Sequence, residues 1–541
     1  MPKFNLFGTG FALQAAIWAA CGMAFILFGY DQGVFSGIVE NDDFLATMNH
    51  PNDSLEGIIV SIYNLGCFAG CIVNFLLGDW LGRRRAMWFA MVWVIIGATL
   101  QCSAFSVPHI MVGRFVTGIG TGVETSTVPM YQAELCEASK RGKLVCSEPL
   151  LVGVGIVISY FFDYGMSYVG GQIAWRLPIA CQMIFAFVVI VLVFGLPESP
   201  RYCYKEGRNE EALQILSDVY GRPKDDPKIL AEQEEILEAI SVETKYGEYK
   251  WRYVPTHLQH RNLMQADETR NVFKRDEVST GHRVLLAYGM QFMNQMGGIN
   301  MVVYYIPTVL NTNVGLDKNL SNLLGGCVQI MFVVGSIFPT FFVDRVGRRA
   351  PMIWGSFGLG ICMMMVSILL SFKGHANEHA TSSAAVAFFF VYMLIFGASV
   401  NCIPWCYVPE ILPLHARAKG TAVGISSNWI WNFFVVMITP IIINRLQWKA
   451  YLIFMCLNFA FVPLIYFCYP ETAKLTLEEI DYLFTTPGKS AVQMSKELVK
   501  QRKQHPGQRL TRHTDETGSE NMEKKQDSVV AGVSDEQVEQ V

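Results

Sequence analysis

The chain has 541 residues, of which 52% are hydrophobic and 16% are charged, and its formal net charge is −4. Soluble proteins carry about a quarter charged residues, so this composition and a mean hydropathy of +0.30 exclude an ordinary soluble globular protein. The small net charge indicates little by itself, because the charged residues are unevenly placed, and we expect no nucleic-acid partner.

Twelve apolar runs follow one another along the chain, each long enough to span a bilayer, which takes about 20 apolar residues. Six lie at about 15–39, 57–78, 86–106, 109–130, 142–163 and 175–196, and six more at about 284–310, 322–343, 351–372, 384–408, 420–444 and 449–469. The N-terminus lacks a cleavable signal pattern, so the first run is expected to be a retained helix. The sequence therefore predicts an all-α membrane protein: a six-helix half at 1–196, a linker with short helices at 197–281, a second six-helix half at 282–469, and a mostly disordered tail at 470–541.

The orientation follows from the basic residues in the short joins between these runs. One side carries Arg83, Arg84, Arg85, Lys140, Arg141, Lys143, Arg345, Arg348, Arg349, Arg417 and Lys419. The other side carries only Arg176, Lys318, Lys373, Arg445 and Lys449. We therefore expect both termini, the linker and the tail to be cytoplasmic. Glycosylation triplets begin at Asn52 and Asn319 in the predicted outer loops, and whether they are used stays open.

An ionisable residue in the first run is the first candidate for function. Asp31 lies in FILFGYDQG, and a charge inside a membrane helix is expensive enough to indicate a role. Arg114, in the fourth run, is its natural partner. Protonation of Asp31 would weaken this pair and couple a proton to helix movement; a permanent structural ion pair is the alternative. Glu124 and Glu148 also lie within apolar runs, and whether they line a cavity stays open.

Charged residues recur at the cytoplasmic ends of both halves and suggest a gate. The first half has Asp79, Arg83, Arg84, Glu134 and Arg141, and the second has Asp344, Arg348, Arg349, Glu410 and Arg417. Ion pairs among them would close the inward gate and break when it opens. The alternative is that they only set the topology.

The linker and the tail differ in pattern. Residues 209–221 and 229–240 carry apolar residues at helical spacing and predict amphipathic helices. The tail after Thr485 is rich in Lys, Glu, Gln, Ser and Gly, which predicts disorder.

The seventh run contains four amides, Gln291, Asn294, Gln295 and Asn300. An amide without a partner costs several kcal/mol in lipid, so these groups should face a cavity, a substrate or another helix. The first three share one helical face, and Asn300 would point away unless the helix is kinked or unwound at Gly297 and Gly298. Carboxamides donate and accept, which suits a neutral polyhydroxylated ligand. Contact between helices is the alternative.

Aromatic and amide residues follow in the tenth and eleventh runs. Trp405 lies in the proline-flanked segment CIPWCYVPE, where its ring could pack against the C–H face of a sugar, and Asn401 precedes it by one turn. Asn428 and Asn432 flank Trp429 at helical spacing. Packing, or a place at the membrane interface, is the alternative for the tryptophans.

The fourteen cysteines show no zinc-like spacing. Cys402 and Cys406 lie in an apolar helix without histidine partners, so we expect buried free thiols, no disulfide framework, no metal site and no cofactor.

The two halves repeat one another. GDWLGRRR (78–85) matches VDRVGRRA (343–350), ELCEASKRG (134–142) matches EILPLHARAKG (410–420), and LPESPRY (196–202) matches YPETAKL (469–475), each pair about 270 residues apart. A parallel six-helix repeat is an architecture of facilitator-type carriers, whose substrate site lies near the bilayer midplane between the halves.

These motifs together resemble the sugar porter family of the major facilitator superfamily, in particular fungal sugar or polyol proton symporters. The resemblance rests on FGYD at 28–31, DWLGRRR at 79–85, PESPR at 197–201, NQMGGIN at 294–300 with the following Tyr pair, and PETAKLTLEEI at 470–480. It implies that Asn294, Gln295, Asn300, Tyr304, Trp405 and Asn428 contact sugar, to which the amide pattern adds Gln291 and Asn401. It implies that Asp31 and Arg114 form the proton-coupling pair.

The chain departs from the family pattern at two places. The first Gln of the usual seventh-helix pair is Asn294, and the fifth helix has Pro149, preceded by Glu148, where the family commonly has a sugar-binding Gln. The resemblance therefore leaves polyols, pentoses, hexoses and less usual sugars open.

The expected function is secondary active transport of a sugar or polyol with protons across the plasma membrane, by a multi-pass protein in the lipid bilayer. An uncoupled facilitator and a sugar-sensing receptor on the same fold are the alternatives; sensors in the family usually carry much longer tails. No nucleophile–base set, metal cluster or nucleotide loop is visible, so we expect no enzyme.

Overall fold

A computed structural model of the chain describes residues 6–136, 141–247, 279–373, 375, 378–413, 417–473, 475, 477–485 and 490–504. These residues form helices and the loops between them, with no strand among them. Residues up to Ser495 belong to one compact unit, and the chain from Lys496 onward belongs to a second.

The first half contains six long helices and one short one. They are α1 (Phe11–Ile38), the short α2 (Asp42–Thr47), α3 (Asp53–Leu81), α4 (Arg83–Cys102), α5 (Val107–Leu135), α6 (Arg141–Met166) and α7 (Ile173–Phe194). Three further helices follow on one side of the bundle, which is called the linker side below: α8 (Pro200–Lys205), α9 (Asn209–Tyr220) and α10 (Pro227–Gly247).

The second half repeats the arrangement, with two of its spans broken. The helices are α11 (Thr280–Met296), α12 (Ile299–Val309) with a π-helical turn at Leu310–Val314, α13 (Lys318–Val346), α14 (Arg349–Ser371), α15 (Glu378–Ala398), α16 (Ile403–Ile411), α17 (Arg417–Leu446) and α18 (Ala450–Cys468). The chain ends in α19 (Leu477–Thr485) and α20 (Ala491–Gln504).

The twelve expected spans are α1, α3 to α7, the α11–α12 pair, α13, α14, the α15–α16 pair, α17 and α18. Within the described residues, nine stretches are long and apolar enough to cross a membrane, and the last of them contains both α17 and α18. α5 and the α11–α12 pair do not reach that standard. α5 carries buried Arg114 and Glu124, and the α11–α12 pair is broken into short pieces. Both of these spans carry polar candidates.

Close helix packing in the first half depends on small residues. Gly118 and Gly122 of α5 meet Gly66 and Gly70 of α3. A methyl group at Gly118 would lie 2.3 Å from the carbonyl oxygen of Tyr63. Small residues at every fourth position let membrane helices pack backbone to backbone where no hydrophobic effect drives them together.

The two halves meet through the pairs α3–α17 and α6–α13, while α1 also packs on α12. Gly57 of α3 lies against the backbone of α17, where a methyl group would be 2.4 Å from the carbonyl oxygen of Met437. α6 and α13 meet at Gly153, which faces the ring of Phe332. The space between these contacts is left for a central cavity.

The predicted linker helices are present as α9 and α10. The tail differs from the prediction of disorder after Thr485, because Ala491–Gln504 is helical. Val492 and Met494 are buried there, and the segment is rich in strong helix formers, which the polar composition of the whole tail concealed. Residues beyond 504 lie outside the described part.

The close approach of α3 and α5 yields a stability prediction. Gly118→Val should destabilise the protein by about 1–3 kcal/mol, because the added side chain must push two backbones apart. The measurement is the midpoint of thermal unfolding of the purified protein. Gly165→Ala in α6 is the control, since a methyl group there meets nothing within 4 Å, and its midpoint should stay near that of the unchanged protein. Equal midpoints for both variants would contradict the packing argument.

Candidate functional site

A cavity lies between the halves, with about 600 Å³ of space among its lining atoms, part of it continuous with solvent. Six of the eight predicted substrate-binding residues line it: Asn294, Gln295, Asn300, Asn401, Trp405 and Asn428. α1 and α6 supply the wall from the first half, and α11, α12, α16 and α17 supply most of the other.

A break in the seventh span brings the amides together. α11 ends at Met296 and α12 begins at Ile299, and between them Gly298 has a φ of +97°, a conformation that favours glycine. The unwound turn frees the carbonyl oxygen of Gly297, which accepts hydrogen bonds from Tyr392 Oη at 3.0 Å and Asn458 Nδ2 at 2.9 Å. The break is thus satisfied within the protein and places Asn300 on the same cavity as Asn294.

Three of the cavity amides form a chain of hydrogen bonds. The Asn300 amide donates to Gln295 Oε1, Gln295 Nε2 donates to Asn294 Oδ1 at 2.8 Å, and Asn294 Nδ2 donates to the Val400 carbonyl at 2.9 Å. Val400 lies in the break between α15 and α16, so the chain also satisfies that break. The bonds fix which amide atoms are left to face a ligand.

Gln291 and Tyr304 do not line the cavity, unlike the other six. Gln291 is fully buried one turn before Asn294 and accepts a hydrogen bond from Asn428 Nδ2 at 2.8 Å. It therefore orients an amide that does line the cavity. Tyr304 is one turn after Asn300 in α12, the helix that packs against α1, and it lies close enough to Arg114 to interact with it electrostatically.

Two polar residues of the first half also reach the cavity. Gln32, next to Asp31 in α1, was not singled out from the sequence, although an amide inside the first run was a usable signal. Glu148, whose position was left open, lines the cavity together with Pro149. Glu148 is 3% exposed, and within the described residues its Oε1 has no hydrogen-bond partner. The site therefore combines several amides, one carboxyl group and aromatic rings, which suits a ligand rich in hydroxyl groups.

Asp31 of α1 is 2% exposed and lies beside the cavity, where its side chain contacts α5. Thr121 Oγ1 donates to its Oδ2 at 3.5 Å, and Oδ1 has no partner among the described residues. Arg114 donates to the Val60 carbonyl at 2.7 Å and its guanidinium lies 3.7 Å from the ring centre of Phe35. In the described part of the chain no ion pair within 4.0 Å joins Asp31 to Arg114.

The expected direct pair is thus replaced by two neighbouring groups with separate partners. Arg114 is held by a carbonyl and by aromatic faces, which accept a cation without neutralising it. Glu124, one turn after Thr121, is also buried, and both of its oxygens lack a partner within the described residues. These carboxyl groups lie in α1, which lines the cavity, and in α5, which packs against α1.

The charged motifs on the linker side form the same network in each half. Arg83 donates twice to Glu134, at 3.2 and 3.1 Å, and Arg348 donates twice to Glu410, at 3.2 and 2.8 Å. Asp344 adds a contact of 3.0 Å to Arg348. Two parallel bonds between a guanidinium and a carboxylate are the strong geometry for such a pair.

Glu198 and Glu471, which the sequence analysis gave no role, cap this network. Glu198 accepts from the backbone N–H groups of Arg83 and Arg84 at 3.1 and 3.2 Å, and Glu471 accepts from those of Arg348 and Arg349 at 2.8 and 3.0 Å. Burial raises the pKa of Glu198, although the N–H groups act against that shift. The signal was the PES/PET repeat, in which each Glu follows a span directly.

The remaining gate candidates are placed differently. Arg84 and Arg349 donate to the carbonyls of Phe194 and Tyr466 at the ends of α7 and α18, and Arg417 donates to the Leu412 carbonyl. The side chains of Asp79 and Arg141 lie outside the described part. The side-chain ion pairs described above each lie within one half, so they brace helix ends inside a half.

Comparison with known proteins agrees with this architecture. The family description "Sugar (and other) transporter" matches residues 15–484. The chain is 40% identical to "MFS-type transporter oryC" of Aspergillus oryzae over 89% of this chain and 86% of that protein. It is 32% identical to "Sugar transporter STL1" of Saccharomyces cerevisiae, over 88% of this chain and 82% of that one.

A similar fold is found in a solved structure of the proton:xylose symporter XylE of E. coli bound to 6-bromo-6-deoxy-D-glucose. The TM-score is 0.72 and the identity 24%, over 87% of this chain and 99% of that one. At this level of identity the likeness establishes the fold, a twelve-helix bundle of two six-helix halves.

The buried network on the linker side gives a prediction. Glu410→Ala should lower stability by about 3 kcal/mol, because it leaves the guanidinium of Arg348, 6% exposed, with only Asp344 as an acidic partner among the described residues. The control is Glu211→Ala, which removes an ion pair with Arg208 whose side chains are 43% and 36% exposed, and which should cost less than about 1 kcal/mol. Thermal unfolding of the purified variants measures both. Similar losses would mean that burial does not set the strength of the Arg348 pair.

Proposed function

The chain belongs to the sugar transporter family of the major facilitator superfamily, and from this membership we propose that it carries a neutral polyhydroxylated solute together with a proton. A transporter, and no enzyme, is what the family match establishes. The solute and the coupling are our proposal, and they rest on one observation. Asp31, buried with a free carboxyl oxygen within the described residues, is the chain neighbour of Gln32, which lines the amide cavity.

Asp31 suits a proton carrier because its surroundings do not hold it permanently charged. A buried carboxylate without a paired cation is costly, so a proton on Asp31 removes that cost. Arg114 is held nearby by other partners and favours the charged form when it approaches. A helix movement that changes this separation therefore changes the affinity of Asp31 for a proton.

α12 supplies a physical link between solute and proton. Asn300 and Tyr304 are one turn apart on this helix; the first lines the cavity and the second lies beside Arg114. Tyr160 Oη of α6 also donates to the Val303 carbonyl, and Ser36 Oγ of α1 donates to Tyr160 at 2.6 Å. A solute that pulls on Asn300 thus acts on a helix in contact with the elements that surround Asp31. We infer that coupling passes through this helix.

The chemistry of the cavity supports a polyol, a pentose or a hexose as the solute. Amides in fixed orientation donate to and accept from hydroxyl groups, and Trp405 offers a flat apolar face for C–H groups. Glu148 adds a carboxyl group next to Pro149, the position at which the family commonly has an amide, so we propose that Glu148 accepts hydrogen bonds from hydroxyl groups of the solute. Asn401 donates to Ser336 Oγ at 3.1 Å, which connects the cavity to α13.

We further propose that the protein lies in the plasma membrane with both termini and the linker cytoplasmic. The bias of basic residues supports this orientation. The first described residues support it too, because the Leu6 N–H donates to the Gly195 carbonyl at the linker side. In this orientation the Arg83–Glu134 and Arg348–Glu410 pairs lie at the cytoplasmic helix ends, each bracing its own half beside the inward gate.

The first test is external alkalinisation by unbuffered, energy-starved cells that express the protein in a transporter-deficient host. Glycerol, polyols, pentoses, hexoses and uronic acids are added in turn. An alkaline pulse with one solute is expected for the unchanged protein and should disappear in Asp31→Asn, because the amide cannot carry the proton.

Asp226→Asn, in the exposed Arg222–Asp226 pair of the linker, is the control and should keep the pulse. A full pulse in Asp31→Asn would exclude Asp31 as the carrier. If no solute gives a pulse, uptake of labelled solute separates an uncoupled facilitator from a sensor, which transports nothing.

A second test concerns Glu148. Glu148→Gln keeps the shape but replaces one carboxyl oxygen by an NH2 group that cannot accept a hydrogen bond, so the KM for the transported solute should rise about tenfold or more, with a smaller change in kcat. Initial rates of labelled uptake over a range of solute concentrations give both constants. An unchanged KM would mean that Glu148 does not contact the solute.

A further inference from the structure

Three buried thiols lie together at the linker end of the cavity. The Sγ atoms of Cys146 and Cys406 are 3.4 Å apart, and those of Cys402 and Cys406 are 3.9 Å apart. All three ligand atoms lie within 4.8 Å of one another, and the side chains are 1%, 1% and 5% exposed for Cys146, Cys402 and Cys406. The distances suit one metal ion held by three sulfur atoms.

The cluster joins the two halves of the protein. Cys146 belongs to α6 of the first half, whereas Cys402 and Cys406 belong to the start and the second turn of α16, 260 residues later for Cys406. Glu148 and Trp405, close in sequence to these thiols, line the cavity. Cys146 and Cys406 are farther along α6 and α16 toward the linker side. The thiols therefore meet where the two halves close the cavity on that side.

Two further residues of the second half, Thr340 and Arg348, interact with the thiol cluster. Thr340 Oγ1 of α13 donates to the Cys146 carbonyl at 3.2 Å, which adds a second cross-half contact at this level. Arg348 lies close enough to Cys406 to interact electrostatically with it. A guanidinium nearby favours the negative charge that thiolates bring to a metal centre.

The donor set selects the class of metal. Thiolates prefer soft ions, and Cu(I) accepts two or three of them without a further ligand. Cys402 and Cys406 are one turn apart on one face of α16, so this pair can hold the ion while the halves are apart. Cys146 then completes the set as the halves close. Each sulfur–metal bond replaces a thiol proton, which leaves to solvent, and no electron is transferred.

We propose that Cys146, Cys402 and Cys406 bind one soft monovalent metal ion such as Cu(I), and that the bound ion ties the two halves together on the linker side. Alternating access requires these ends to separate in each cycle. The occupied site therefore arrests the transporter with its linker side closed. The thiol site does not depend on which solute is carried, and its test does not use transport.

The binding test uses the purified full-length chain and Cu(I) buffered by a chromogenic Cu(I) chelator. The unchanged protein should remove one Cu(I) per chain from the chelator. Loss of a residue that only hydrogen-bonds a metal ligand costs about 10–100-fold in affinity, and loss of a ligand itself should cost at least as much. Each of Cys146→Ser, Cys402→Ser and Cys406→Ser should therefore weaken Cu(I) binding by at least about tenfold. Cys362→Ser, which changes a buried thiol in α14, should bind as the unchanged protein does.

The outcomes are distinct. Absence of Cu(I) uptake by the unchanged protein would show that the thiols serve only as small apolar side chains in the packing, and would overturn the proposal. Full affinity in Cys146→Ser would confine the site to α16 and overturn the cross-half part.

Hydrogen exchange tests the tie itself. Cu(I) should slow amide exchange in the first turns of α6 and in α16 of the unchanged protein, because the bound ion suppresses separation of the two helices. In Cys146→Ser, Cu(I) should leave the exchange of α6 unchanged. Unaltered exchange of α6 in the loaded, unchanged protein would show that the ion binds without holding the halves. The exchange of α3 and α5 in each variant reports whether the chain remains folded.

Discussion

A polar group inside a membrane bundle must find its partner within the protein, and the second half of this structure depends on that constraint. The seventh span breaks at Gly297 and Gly298, and the tenth breaks before Ile403. The carbonyl freed at Gly297 is taken by Tyr392 and Asn458, and that of Val400 is taken by Asn294. Because the same amides satisfy the breaks and line the cavity, the binding surface and the helix geometry fix each other.

The duplicated ends on the linker side follow from a related requirement. Each sharp turn between two spans, after α3 and after α13, exposes the first N–H groups of the next helix, which need an acceptor. The carboxylates of Glu198 and Glu471, which follow the ends of α7 and α18, are these acceptors. The beginning of one helix is therefore bonded to the segment that follows another. Tyr131 and Tyr407 repeat the tie by donating to the carbonyls of Pro197 and Pro470 at 2.7 and 3.1 Å. Each half is thereby braced as a body.

Much of the fold could be predicted from sequence because hydropathy and repetition are long-range signals spread over many residues. The six-plus-six division, the linker helices at 209–221 and 229–240, and the break at Gly297 and Gly298 all had local signatures. The helix at Ala491–Gln504 did not stand out, because its apolar residues are few within a polar tail. Periodicity also assigned Gln291 to the face that carries Asn294. It could not predict that the Gln291 oxygen would accept a hydrogen bond from Asn428 of a distant helix.

Contacts between distant segments were beyond sequence reasoning. Spacing rules for metal sites compare residues that are close in sequence, and the spacing of Cys402 and Cys406 does not match a metal-binding motif. The third thiol, Cys146, lies in the other half, 260 residues from Cys406. The sequence predicts an Asp31–Arg114 pair because the two residues carry opposite charges inside apolar runs. Val60 and the ring of Phe35, which hold Arg114, lie in α3 and α1 and offer no charge that a sequence pattern could register.

The contact at Gly57 bears on how such a molecule can move. A backbone-to-backbone contact has no side chain that must change rotamer when two helices turn against each other, so rotation there meets a low barrier. The opposite ends of the halves carry the Cys146 and Thr340 contacts, which have to break before the halves part. The α3–α17 crossing near Gly57 can therefore serve as a pivot for the rotation of one half against the other. We expect the rate of the cycle to be set by breaking the Cys146 and Thr340 contacts at the other end of the bundle.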